Sequence, residues 1–305
     1  MRIFVAGASG TIGVPLVRAL VAGGHDVTAM TRSPEKQSGL RALGATPVVA
    51  DALDREALIA AVASVRPTHV IHQLTALPKE GVRSPKDLEA TNRLRIEGTR
   101  NLLDAAIRAG ARRFIVGSFA LLSDRGGTAP ESTNDAAAAV RSMESQVLEA
   151  TGKGSIEGII LRYGLFYGLE TPSMVKMIEM VRRRRLPVVR HDEGQLPVIQ
   201  IDDAVSATLA ALDRAPAGGV YDIVDDQAVS MTQIVNGLAE YTGSPAPFRV
   251  PAWLPRLIAP YMARLTSMRM PLSNAKAKAE LGWRPKYATV RDGLARMFPR
   301  AACRR

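Results

Sequence analysis

The sequence predicts an α/β fold: a doubly wound parallel sheet with a smaller C-terminal α/β region. Three observations carry this expectation. Short apolar runs alternate with helical segments through the first half of the chain. The first run stops on a glycine cluster that opens a helix. Each strand-helix unit is long enough for a crossover, and right-handed crossovers bury both faces of a parallel sheet.

The elements follow in order. Residues 2–6 are a run containing β-branched side chains that ends at Gly7. Residues 11–22 have helical spacing, with Ile12, Leu16, Ala19 and Leu20 on one face. A strand is expected at 25–31, and Pro34, suited to a first helical turn, opens a helix to about residue 43. Strands at 46–50 and 68–73 flank a helix at 54–64. The stretch from 87 to 108 is helical, with Leu94, Gly98, Leu102 and Ala105 on a shared face. Strand 113–117 follows, residues 131–134 lead into a helix through 150, and strand 156–162 closes the alternation.

After Tyr163 the rhythm changes. Helices are expected at 173–184, 202–213 and 231–241, the last capped by Ser230, with strands at 198–201 and 220–224. Pro245, Pro247, Pro251, Pro255 and Pro260 mark an irregular region, and 274–281 and 289–298 read as helices.

Composition excludes several classes. Of 305 residues, 47% are apolar and 23% charged, values of an ordinary globular chain rather than a disordered or collagen-like one. The single cysteine, Cys303, allows no internal disulfide and is compatible with a reducing cytoplasm, the expected location. No signal peptide is expected. No apolar run reaches about 18 residues, so no membrane is expected. The net charge of +11 reads as a solvated arginine-rich surface, with Arg182 to Arg185 ending a helix. No zinc-ligand spacing, RNA-binding aromatic motif or basic zipper accompanies it, so neither nucleic acid nor metal is expected.

The strongest local signal is Gly7-Ala8-Ser9-Gly10-Thr11-Ile12-Gly13, between a strand and a helix. Gly7 permits a tight turn, Gly10 lets backbone approach a pyrophosphate, and Gly13 lets helix pack on sheet. The free N–H groups of the first turn then face the anion. This makes the expected sheet Rossmann-type and the expected ligand a dinucleotide. At the end of the second strand, where an NAD site usually places Asp or Glu, stand Arg32 and Ser33. A guanidinium fork suits a 2′-phosphate, so NADP(H) is expected over NAD(H).

Further ordered motifs resemble the extended short-chain dehydrogenase/reductase superfamily, with its epimerases and dehydratases. Asp51-Ala52-Leu53-Asp54 resembles the adenine-contacting segment, with Asp51 as the contact. Val70 to Ala76, through Gln73, Leu74 and Thr75, is similar to the "VxHxAA" strand end that passes the cofactor. Thr91-Asn92 and Gly98 to Leu103 look like "TNxxGTxNLL". Leu161-Arg162-Tyr163 with Tyr167-Gly168 resembles "LRxxxxYG", Ile201 to Ala204 resembles "VDDxA", and Glu280 to Pro285 resembles "ELGWxP". The resemblance implies a dinucleotide-binding domain over 1–165, to which segments such as 195–225 return. A discontinuous substrate-binding region over 166–305 would complete it. A homodimer through the helices near 87–108 and 136–150 is open to it.

The resemblance breaks where the family does its chemistry. The family carries Ser or Thr after the fifth strand and then Tyr-x-x-x-Lys, whose tyrosine exchanges a proton with substrate. Here Phe119 takes the hydroxyl position, with Ser118 one residue early, and Ala136 and Val140 stand for Tyr and Lys when Glu144 sets the register. No register restores the motif, because Tyr163 is the first tyrosine in the chain.

Candidate replacements are Ser118 and Tyr163. Ser118 sits near the sheet's carboxyl edge, where it could orient a carbonyl or simply bond backbone. Tyr163 could donate a proton beside the nicotinamide or be a packed tyrosine. His72 reads as packed beneath the cofactor, and His191 to Glu193 as a solvated loop. The expected function is therefore an atypical NADP(H)-dependent oxidoreductase acting on a small carbonyl, imine or sugar-like substrate. The alternatives are a non-redox NAD(P)-binding protein, as a sensor, cyclase or dehydratase, and a structural partner in an oligomer.

Overall fold

The computed structural model describes residues 1–78, 81–122, 134–270 and 272–299. Cys303 and residues 131–133, part of the predicted lead-in to a helix, lie outside them. The strands are β1 (Arg2–Ala6), β2 (Asp26–Thr31), β3 (Thr46–Val49), β4 (His69–His72), β5 (Arg113–Phe119) and β6 (Glu157–Tyr163). After them come β7 (Leu165–Tyr167), β8 (Val188–Val189), β9 (Val198–Gln200), β10 (Val220–Ile223) and β11 (Arg249–Val250). The helices of the first half are α1 (Gly13–Ala22), α2 (Gln37–Ala42), α3 (Arg55–Val65), α4 (Glu89–Arg93), α5 (Thr99–Arg108) and α6 (Asn134–Gly152). Those of the second half are α7 (Pro172–Arg182), α8 (Ile201–Arg214), α9 (Met231–Thr242), α10 (Trp253–Ile258), α11 (Pro260–Thr266), α12 (Ala275–Leu281) and α13 (Val290–Met297).

Seven strands form one parallel sheet in the order β10-β6-β5-β4-β1-β2-β3. Side chains alternate across it, as a period of two requires. Ile3 and Val5 face a core shared with Leu16 and Leu20 of α1 and with Ala204 and Ala211 of α8. Phe4 and Ala6 face the opposite core, shared with Leu58 of α3, Leu102 of α5 and Val147 of α6. Both faces are covered, which is why the strands read as nearly continuous apolar runs. A third core joins Tyr167, Ile178 of α7, Leu238 of α9 and Leu294 of α13 in the C-terminal region.

The architecture matches the expected fold class, with local differences. Helix α1 begins at Gly13 rather than residue 11, because Gly7 to Ile12 turn first, with Gly10 N–H donating to Gly7 O at 3.0 Å. Pro34 opens a 3₁₀ turn, Pro34–Lys36, before α2 starts. The stretch from 89 to 108 is one rod interrupted by a π-helical turn, Leu94–Gly98. Of the expected late strands, β10 returns to the main sheet, while β9 pairs with β7 in a separate two-stranded ladder. Residue 201 leaves β9 because the Gln200 side chain caps α8, accepting from the Asp202 and Asp203 amides. Asp203 in turn accepts from Lys286 N at 2.8 Å and Tyr287 N at 2.9 Å, fastening the C-terminal segment to α8.

Candidate active site

The carboxyl ends of β1, β4, β5 and β6 meet along one edge, where open α/β sheets bind ligands. At β1, Gly7 takes a φ of +87°, and a Cβ there would lie 2.5 Å from Gln73 O. A Cβ on Gly13 would lie 2.1 Å from Gly7 O, and one on Gly10 3.2 Å from the same oxygen. The glycines thus keep open a loop whose backbone amides lead into α1, a cradle suited to an anion. Ala8 N–H bonds Met30 O at 3.2 Å, and Ser9 Oγ shares a 3.0 Å hydrogen bond with Thr31 Oγ1, tying the loop to β2. Thr11 is half-buried and Ile12 buried at the entry to α1.

Beyond β2, Arg32 is exposed and has no hydrogen bond or ion pair among the described residues, while the Ser33 amide donates to Thr31 Oγ1. At the end of β3, Asp51 Oδ1 accepts from Leu53 N at 2.9 Å, and Ala52 O accepts from Asn101 Nδ2 at 3.0 Å. The adenine-side candidates are therefore held by a short turn against α5.

The β4 exit is tightly organised. The Leu74 amide donates to His72 Nδ1 at 3.1 Å, so Nε2 carries the proton and donates to Thr99 Oγ1 at 2.9 Å. Burial, with Arg95 nearby, pushes His72 down to about 4, so it is a neutral structural group at physiological pH. Gln73 follows, buried, its amide donating to Ala6 O at 2.8 Å. Its side chain occupies the space over Gly117, where a Cβ would lie 2.2 Å from Gln73 Oε1. Leu74 is half-buried and Thr75 exposed, and Ala76 N bonds Thr91 Oγ1 at 2.9 Å.

The two candidates for proton chemistry are both engaged. Tyr163 is 3% exposed, and its hydroxyl lies 2.7 Å from Thr208 Oγ1 and accepts from Gln73 Nε2 at 3.2 Å. Thr208 gives its own proton to Ala204 O at 2.7 Å, so the phenol donates to Thr208. Burial pushes the phenol up to about 12. Ser118 Oγ donates its one proton to Glu144 Oε1 at 2.6 Å. The same carboxylate takes Arg162 Nε at 2.9 Å and Nη2 at 2.5 Å in a bidentate pair. Towards any ligand Ser118 therefore offers a lone pair rather than a proton.

Sequence reasoning passed over three further side chains. Glu144 served only as a register mark, yet it bridges β5, β6 and α6. Tyr261 of α11 packs with Leu88, Leu122, Ala136, Ala137 and Val140, so an apolar cluster holds the two α6 positions that the sequence register expects for Tyr and Lys. No spacing links residue 261 to 136 and 140, and only the fold brings them together. Arg95, on the π turn, is buried, and among the described residues its guanidinium makes a single hydrogen bond, 3.4 Å to Asn92 Oδ1. Among the described residues no His/Cys/Asp/Glu group could hold a metal, and no helix is long and apolar enough to cross a membrane.

Comparison with known proteins agrees with this architecture. The chain is 36% identical to a 3-diazoavenalumate denitrifying reductase of Streptomyces sp., across 97% of this chain and 100% of that one. It is 27% identical to a 2-alkyl-3-oxoalkanoate reductase of Stenotrophomonas maltophilia, covering 80% and 77%. Among solved structures, UDP-glucose 4-epimerase of Thermus thermophilus in complex with NAD superposes with a TM-score of 0.78 at 24% identity, covering 100% of both chains. Residues 3–224 match the profile of the NAD dependent epimerase/dehydratase family, and the chain belongs to that family.

Proposed function

We propose that this protein is an NADPH-dependent reductase whose substrate takes up a hydride without a proton from the enzyme. The observation that carries this reading is the pairing of an open glycine cradle with an α6 that presents buried Ala136 and Val140 in place of an acid and its lysine. The residues present fit a dinucleotide. Gly7, Ser9, Gly10, Thr11, Ile12 and Gly13 would receive its pyrophosphate, Asp51 and Ala52 its adenine side, and Gln73, Leu74, Thr75 and Tyr163 its nicotinamide end. Arg32 and Ser33 would read a 2′-phosphate. Bound in this cradle, a reduced nicotinamide supplies a hydride.

The chain's own residues then decide which acceptor can react. A ketone that gains a hydride becomes an alkoxide and needs a proton, a service of a positioned acid that contributes about 10²–10⁴-fold. The Tyr163 and Ser118 protons are committed to Thr208 and Glu144. An arenediazonium cation needs no such help. A hydride on its terminal nitrogen gives a neutral aryldiazene, which loses N₂ and leaves the hydrogen on the ring carbon. Charge and atoms balance with no proton. The denitrifying activity of the Streptomyces relative supports this class, and both relatives' substrates are named as carboxylate anions. We therefore take the substrate to be a diazonium-bearing aromatic carboxylate.

The test measures enzyme-dependent NADPH oxidation and N₂ release with a diazotised aminocinnamate, against an aryl ketone of matching size. Diazonium turnover at least about 100-fold faster is expected, the span a missing acid would cost the ketone. Equal rates would overturn the reading. The second reading, carbonyl reduction, is favoured by Tyr261, the one tyrosine packed against Ala136 and Val140. On that reading Tyr261→Phe abolishes ketone turnover.

Cofactor choice has its own test. Arg32→Asp is expected to weaken NADPH binding by about 10-fold or more, the size of a charge-assisted hydrogen bond, and NADH binding far less. Fluorescence titration of both nucleotides at one ionic strength reads the difference. Equal losses would remove phosphate recognition from Arg32.

A further inference from the structure

Arg95 is out of place as a structural residue. It is 8% exposed, yet among the described residues its guanidinium has one long hydrogen bond, 3.4 Å to Asn92 Oδ1, and no carboxylate partner. Leaving a buried charge without a counter-ion costs several kcal/mol, which proteins ordinarily avoid by pairing. Burial alone pulls this guanidinium down to about 10, with no acid opposing it. Among the described residues Nε and Nη2 have no hydrogen-bond partner, and neither is fully sealed from solvent.

The position is specific. Arg95 lies on the π turn Leu94–Gly98, and such turns inside helices are frequent at functional sites. One turn before it, Thr91 holds the Ala76 amide, and one turn after, Thr99 holds His72. Arg95 thus stands between two anchors that both grip the β4 exit, close enough to His72 to depress it further. The same turn packs against α6, the helix that supplies Ala136 and Val140. The cofactor's own anions already have receptors: the α1 amides for pyrophosphate and Arg32 for a 2′-phosphate.

We propose that Arg95 is the receptor for a carboxylate on the substrate. This rests on the reading above that the substrate is an aromatic carboxylate. The planar fork binds a carboxylate through two parallel N–H···O bonds, restoring the missing counter-ion and orienting the substrate. A carboxylate held there would keep the rest of the molecule near the β4 exit.

Binding, without turnover, tests the proposal. Cinnamate and cinnamamide, nearly equal in shape and differing in charge, are titrated into the NADP⁺-saturated protein by calorimetry. The wild type should bind cinnamate about 10–100-fold more tightly, the range of a charge-assisted pair. Arg95→Met should remove that preference while leaving cinnamamide and NADPH affinities within about threefold, and Arg95→Lys should restore part of it. Equal binding of the two probes by the wild type overturns the proposal with no variant needed. So does an Arg95→Met loss shared by both probes, or one confined to NADPH. A protein that prefers cinnamate but never releases N₂ would keep the proposal and sink the diazonium reading.

Discussion

Gly13→Ala is expected to lower NADPH affinity by at least about 100-fold, equivalent to about 2.7 kcal/mol. The added Cβ would lie 2.1 Å from Gly7 O, 2.7 Å from Ala8 C and 2.7 Å from Ala8 O. All three are backbone atoms of the loop that would cradle the pyrophosphate, so no side chain can swing aside. Either α1 shifts away from β1 or the Gly7 turn opens, and each displaces the amides that would face the anion. Gly39→Ala is the control: nothing lies within 4 Å of a Cβ there, and in α2 it should stabilise by about 0.5–1 kcal/mol. Nucleotide titration and thermal melting of both variants separate lost binding from lost fold. Gly13→Ala binding within threefold of wild type would show that the loop does not hold the dinucleotide.

That contrast also shows why some of the molecule was legible in its sequence and some was not. Gly7, Gly10 and Gly13 announce themselves because a tight turn and close helix packing leave only one residue type, at fixed spacing. The strands were legible because both faces of the sheet are buried, which forces apolar runs. The absence of tyrosine before residue 163 needs no structure at all. What escaped were relations across long separations. The Ser118–Glu144–Arg162 network joins residues 26 and 18 positions apart, and polar side chains in a sequence do not name their partners. The packing of Tyr261 on Ala136 and Val140 depends on how the proline-rich C-terminal region folds back. The π turn at Leu94–Gly98 leaves the apolar spacing of Leu94, Gly98, Leu102 and Ala105 intact, so periodicity did not expose it. The short strands β7, β8 and β11 span only two or three residues, which leaves at most two side chains on either face to show a period.

Glu144→Ala should destabilise the fold by about 3–5 kcal/mol, the cost of breaking a buried charge pair from one side. Glu144 is 6% exposed, and Arg162 loses a two-point contact while its side chain remains 14% exposed. Ser118 loses the acceptor of its proton at the same moment. Glu144→Gln keeps an oxygen for one of these donors but removes the charge, so its loss should fall between. Ser118→Ala removes one hydrogen bond and should cost only about 1 kcal/mol. Urea denaturation of the three variants gives the order, and comparable losses for Ser118→Ala and Glu144→Ala would mean that the ion pair adds nothing. The same series bears on chemistry. If Ser118 supplied a proton to substrate, Ser118→Ala would cut turnover by the factor of an acid, about 10²–10⁴. With that proton held by Glu144, the expected cut in diazonium turnover is below about threefold. The network then belongs to the frame that joins β5, β6 and α6, and on the proposed function hydride acceptance would rest on the substrate's own electrophilicity rather than on an acid in the protein.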